Sequence, residues 1–175
     1  MRAVSWVITA AVLAFVVFVI VGVTPLGREP FSALFKVGEV GKIDFTQMSS
    51  IRGPAAWLVC PGYGMCTALD DRTPIYDNDV ASIKRTWDKM LKEQEPEMQL
   101  LLADDALHQY TYVVRSGFFQ LPDLVTVQIF ANGETRGSVA IFSRSVYGAG
   151  DFGSNSRRVI RIMDYLDEIL SLYKR

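Results

Sequence analysis

The chain has 175 residues, with 18 Lys plus Arg against 19 Asp plus Glu and a formal net charge of −1, so it lacks the basic footprint that nucleic-acid binding leaves. One histidine and two cysteines cannot supply the four ligands of a Cys/His zinc site. Carboxylate sites for hard cations are the only metal chemistry left in principle, and no metal or cofactor is expected.

In chain order, Val4 to Val23 is an uncharged apolar run of the length a helix needs to cross a hydrocarbon core, about 20 residues. A cleaved secretory signal is the competing reading, but its apolar core would be shorter, about 7 to 15 residues, and would end in a small-x-small site. The run is therefore read as an uncleaved anchor over residues 1–27. Arg2 on one side and Arg28 and Lys36 on the other leave the positive-inside rule undecided. Because the globular part follows the apolar run, the domain is expected to be exported, giving a single-pass protein of a bacterial inner membrane with its domain in the periplasm.

Residues 28–54 are expected to be a connecting arm, since Pro30, Gly38 and Gly41 interrupt Phe31, Leu34, Phe35, Val37 and Phe45 without a helical or strand period. A globular domain over 55–175 follows. Ala55 to Cys60, bounded by Gly53-Pro54 and Pro61-Gly62, suits a buried strand. Cys60 and Cys66 enclose a loop containing Gly62 and Gly64, flexible enough for the sulfurs to meet. Export favours a disulfide here over two free thiols, and closing so short a loop is worth roughly 2.4 kcal/mol in the chain-entropy model.

Asp77 or Asn78 is expected to cap a helix over 78–94, with Asp79 in its first turn and Val80, Ile83, Trp87, Met90 and Leu91 forming one apolar stripe. Strands are predicted at Met98–Ala103, Leu107–Ser116, Leu124–Phe130 and Arg136–Ser143. Asn132-Gly133 between the last two is the strongest short hairpin signal. Within Leu107–Ser116, His108, Tyr110, Tyr112 and Val114 should share one face and Gln109, Thr111 and Arg115 the other. His108 reads as a half-exposed sheet residue, and Asp70-Asp71 and Asp104-Asp105 as turn or solvated carboxylates rather than an acid/base pair. A last helix over 155–173 would bury Val159, Met163, Leu166, Leu170 and Tyr173.

Between the last strand and the last helix lies Ser143 to Arg158, which concentrates Gly148, Gly150 and Gly153 with Arg144, Arg157, Arg158, Asp151 and Asn155. Two readings compete. Free N–H groups at the helix start, together with Arg144, Asn155, Arg157 and Arg158, would hold a small anion. Alternatively Gly148, Gly150, Asp151 and Gly153 form a structural turn, with Asp151 paired to one of the arginines and Ser154 or Asn155 as cap. Asp151-Phe152-Gly153 is not a kinase signature, because the other kinase motifs are missing.

The run Ser143-Arg144-Ser145, then Gly148, Asp151, Gly153, Asn155 and Arg158 ahead of an amphipathic helix, resembles the signature of domain-of-unknown-function family 1499, as does Cys60-Pro61 followed by Cys66. The likeness spans roughly Leu58 to Leu170. It departs from the family pattern at Met65, Thr67 and Ala68, and again around Pro122-Asp123. The resemblance implies a small exported or membrane-anchored protein of the kind found in bacteria and plastids, with no established activity.

The expected fold is α+β, an antiparallel sheet of four to five strands with two packed helices on one side and a separate N-terminal transmembrane helix. The expected function is a non-catalytic, membrane-anchored accessory or interaction subunit of a larger integral membrane protein complex. Its alternative is a periplasmic small-anion binding domain or an uncharacterised enzyme using the 143–158 loop.

Overall fold

The computed structural model describes residues 2–23, 31–50, 55–62, 64–66, 69–117 and 119–170. Pro25, Gly27 and Pro30, the Gly53-Pro54 boundary, Thr67, Ala68 and Tyr173 lie outside them. Contacts divide the chain into two compact units, Met1–Lys36 with Arg115–Leu121, and Val37–Val114 with Pro122–Arg175.

In the first unit, α1 (Arg2–Val23) covers the predicted apolar run. Its described side chains, from Trp6 to Ile20, are all exposed, Trp6 and Phe15 by 75% and 66%. Over the described residues no helix is long and apolar enough to cross a membrane. Phe31 meets Phe18 and Phe119 edge-on, with ring centroids 6.4 and 6.0 Å apart. The Arg115 guanidinium donates to the carbonyls of Phe35 and Gln120.

The second unit is an α+β domain built on one six-stranded sheet. Its strands are β1 (Ala56–Cys60), β2 (Asp71–Arg72), β3 (Gln99–Asp104), β4 (Gln109–Arg115), β5 (Pro122–Ala131) and β6 (Gly137–Ser145), in the spatial order β2-β1-β6-β5-β4-β3. The expected purely antiparallel sheet of four to five strands is corrected here: β2 joins β1 in parallel, Val59 opposite Asp71 and Cys60 opposite Arg72, and the sheet is mixed. The physical reason lies in the connection. A tight hairpin would reverse the chain, whereas the longer connection from β1 to β2, which carries the Cys60–Cys66 disulfide, returns the chain in the same direction. Asp70 anchors this return, its carboxylate accepting from Leu58 N–H and its own N–H donating to Leu58 C=O.

The long hairpin is as the Asn-Gly signal predicts. β5 and β6 pair from Asp123 with Ser145 to Ala131 with Gly137, and Gly133 takes the positive φ of 85° that the turn needs. His108 differs from expectation. It sits exposed in the β3–β4 turn with φ 49°, because Asp104 caps the turn by accepting from Leu107 N–H and the strand starts only at Gln109.

Helices α2 (Val80–Gln94) and α3 (Ser154–Ile169) cover one face. Asp79 is the N-cap of α2 and accepts from Ser82 N–H, one residue beyond the predicted cap. Hydrogen bonds from the Ser82 side chain and backbone hold the Asp79 carboxyl below its usual range. Ile83, Trp87 and Met90 from α2, and Val159, Ile162 and Leu166 from α3, pack on Tyr110, Tyr112, Val125, Val127, Val139 and Ile141. These strand residues alternate along the chain, as the period-2 pleat requires.

The opposite face is covered as well. Phe45 and Met48, from the 3-10 segment Phe45–Ser50, form a second core with Leu58, Cys60, Cys66, Ala140 and Phe142. Beneath this cover, Gln109 and Thr111 are 2% and 1% exposed. The Gln109 carboxamide clamps the Ile43 peptide, accepting from its N–H and donating to its C=O, both at 2.8 Å, while Thr111 and Thr126 share a hydrogen bond of 2.9 Å. The buried side chains of Gln109, Thr111 and Thr126 are thus matched, as burial demands.

Gly137 illustrates how closely the layers meet. A Cβ there would lie 2.6 Å from Ile83 Cδ1 and 3.0 Å from the Phe130 carbonyl oxygen. Gly137→Ala is expected to cost about 1–3 kcal/mol through overpacking, read as a lower urea midpoint at unchanged slope. A neutral substitution would show that α2 stands off the hairpin.

Candidate functional site

The junction between β6 and α3 forms because four polar side chains are aimed at one spot from two elements. Ser143 and Ser145 are two apart on β6 and so share a face, the face that α3 covers. Asn155 and Arg158 are three apart on α3 and neighbour each other on its inner side. Asn155 is fully buried and Arg158 9% exposed, positions an amphipathic helix ordinarily fills with apolar residues.

The hydrogen bonds close on themselves. Asn155 Oδ1 accepts from Ser143 Oγ at 2.5 Å and from Arg158 at 2.9 Å. Asn155 Nδ2 donates to the Ala55 carbonyl at 3.1 Å and to Ser145 Oγ at 3.2 Å. The Arg158 guanidinium also donates to Ser143 Oγ at 3.0 Å, and its other nitrogen pairs with the Asp123 carboxylate at 2.9 Å. Asp123 accepts Ser145 Oγ at 2.7 Å in turn. Strands β5 and β6, and the residue leading into β1, are thereby fastened to the first turn of α3.

Asp151 has a different partner from the one predicted. Its carboxylate accepts from Gly153 N–H at 3.1 Å and Asn155 N–H at 2.8 Å and so serves the helix start. Gly153 is the N-cap residue itself, left-handed at φ 76° and without a side chain to cap, so Asp151 supplies the acceptor from two residues upstream. Burial pushes the Asp151 carboxyl up, but the N–H groups of Asn155 and Gly153 outweigh it and hold it below the usual carboxylate range. A depressed folded pKa means a contribution fully present above the unfolded value and lost as pH falls through the folded one. Asp151→Ala is therefore expected to cost about 1 kcal/mol at neutral pH, with the gap to wild type closing below about pH 4. Urea titrations at several pH values check this; a gap that persists in acid would contradict it.

The four residues proposed for an anion do not converge. Arg144 follows Ser143 on β6, opposite Ala56 and Leu124, and therefore points to the face away from α3. Burial alone lowers its pKa, and no hydrogen bond or ion pair holds its guanidinium among the described residues. Arg157 is exposed and donates to the Phe152 carbonyl at 2.9 Å, which helps hold the loop. Asn155 and Arg158 do meet, but with Asp123 as the acid between them. Gly148, at φ 89°, turns the exposed loop 147–150. Asp123 has no marker in the sequence as an ion-pair partner of Arg158, since 35 residues separate them; only the pairing of β5 with β6 brings them together.

Outside this junction, Trp57 Nε1 and Glu95 Oε2 are buried without a hydrogen-bond partner among the described residues. The other Glu95 oxygen accepts from Arg161 at 2.6 Å. Groups of three or more His, Cys, Asp or Glu placed to hold a metal ion are absent among the described residues.

No curated protein matches the chain. The model of the family described as a protein of unknown function, DUF1499, matches residues 72–166, more than half of the chain and all of the Ser143–Arg158 junction, and the chain belongs to that family.

Proposed function

We propose that the protein is a non-catalytic accessory or interaction subunit, held by α1 in a bacterial inner membrane with its α+β domain on the periplasmic side, beside a larger integral membrane protein complex. The observation that carries this reading is α1, apolar and exposed around its whole described circumference. A helix apolar on all sides calls for lipid or a protein partner. The Cys60–Cys66 disulfide supports an oxidising compartment. The side chains Ser143, Asn155 and Arg158 of the family signature spend their hydrogen bonds on one another and on Asp123, which favours a fastening role over chemistry on a substrate.

The competing reading, a small-anion site or an enzyme using the 143–158 loop, has less support because Arg158 already holds a carboxylate and Arg144 faces the other way. Purification through a C-terminal tag in mild detergent tests the accessory role. A stoichiometric membrane partner is the expected result, and recovery of a lone monomer overturns it.

A further inference from the structure

On the face opposite α2 and α3, the arm, the disulfide loop and the β3–β4 turn leave a cavity of about 570 Å³ between them. Its size falls within the usual range for small-molecule sites, about 300–1,000 Å³. Ile43, Phe45, Met65, Leu107 and Phe130 make its walls mostly apolar, with Phe45 and Phe130 edge-on at 6.4 Å. The clamp of Gln109 on the Ile43 peptide fixes one wall. The Lys42–Asp104 ion pair ties the arm to the β3–β4 turn at the rim.

The polar groups of the lining narrow the ligand class. Lys42 is paired with Asp104, and the Asp44 carboxylate keeps its charge while accepting from Thr46 N–H, Thr46 Oγ1 and Gln47, so the lining offers no free cation to an anion. Gln128 differs. Its Oε1 accepts from Gln109 at 2.9 Å, and its NH₂ has no hydrogen-bond partner among the described residues. Water in the cavity faces few polar partners, and an apolar occupant would release it.

We propose that this cavity binds one acyl chain, with Gln128 donating to the carbonyl oxygen of its head group. The walls supply apolar contact along the chain, and the single amide donor fixes which end lies at Gln128. A free fatty acid and the acyl ester of a bilayer phospholipid share this chemistry. The cavity lies wholly within the second unit, so the inference does not rest on the membrane anchoring of α1.

The full chain in phospholipid nanodiscs tests it by photo-crosslinking in two arms, one with a diazirine-bearing palmitate and one with a diazirine-bearing phosphatidylcholine. The expected result is label on peptides containing residues 42–46, 64–65 or 128–130, in the palmitate arm for a free acid and in the phosphatidylcholine arm for a bilayer lipid. Leu107→Trp, which fills the cavity from a position 44% exposed, should lower this label at least tenfold while label on α1 stays constant. Gln128→Met, which keeps the side chain's length and removes the donor, should lower it severalfold. Met65→Trp repeats the filling test if Leu107→Trp does not fold. Label absent from these peptides in both arms, or unchanged in a folded filled variant, overturns the proposal. A chain that fails to enter the nanodisc counts against the anchor instead, and the palmitate arm then reads the cavity in solution.

Discussion

Arg158→Ala is expected to destabilise the α+β domain by about 3–5 kcal/mol, the range for removing one member of a buried ion pair. Arg158 and Asp123 retain side-chain exposures of only 11% and 15%, so the loss leaves a largely buried carboxylate without its cation. It also takes one donor each from Ser143 and Asn155. Against a typical domain stability of about 5–15 kcal/mol, this is enough to populate the unfolded state visibly. Arg158→Lys should recover only part of the loss, because one ammonium cannot reproduce a planar fork that serves Ser143, Asn155 and Asp123 together. The double replacement Arg158→Met with Asp123→Leu should cost less than the single one, since it removes the stranded charge as well. Urea unfolding followed by tryptophan fluorescence measures all three. A change within about 0.5 kcal/mol for Arg158→Ala, the level of an ordinary surface substitution, would sink the fastening role.

Trp87→Ala should cost a similar amount, about 3–5 kcal/mol, by a different mechanism. Trp87 has no solvent exposure, its ring lies 6.0 Å from that of Tyr112, and its Nε1 donates to the Tyr112 hydroxyl at 3.0 Å. Alanine leaves a cavity between α2 and the sheet and removes the hydroxyl's donor. Trp87→Phe fills much of the volume and should lose about 1 kcal/mol for the hydrogen bond plus a residual packing deficit, giving a ranked series of wild type, Phe and Ala. If phenylalanine and alanine are equally damaging, the hydrogen bond rather than the volume dominates. Burial pushes the Tyr112 hydroxyl up to about 12, partly offset by the Trp87 hydrogen bond, so the hydroxyl stays protonated across the ordinary pH range.

These two sites differ in how far the sequence reveals them. Trp87 belongs to a helical stripe with Ile83 and Met90, and a 3.6-residue period identifies it as core without any coordinates. Arg158 and Asn155 sit on the inner face of α3, where the same period would call for apolar residues. The likeness to the family signature marks them as special, but their role depends on Asp123 and Ser143, which only strand pairing delivers.

Local chemistry therefore determined the α+β class, the apolar N-terminal helix, both amphipathic helices, the β5–β6 hairpin at Asn132-Gly133 and the strands on either side of His108. Each follows from interactions within a few residues, where period and turn preference act directly. Tertiary structure alone decided the rest. A two-residue strand such as Asp71–Arg72 has no period to read and exists because the disulfide-closed loop returns it beside β1. Gln109 and Thr111 look like the wet face of a sheet, and become buried because Phe45, Met48 and the Ile43 peptide cover them from more than 60 residues away. Arg144 and Arg158 look like one basic cluster, and the pleat of β6 sends Arg144 to one face of the sheet while α3 holds Arg158 on the other. Long-range pairing of this kind depends on which surfaces meet, and a residue's neighbours in the chain carry no record of that.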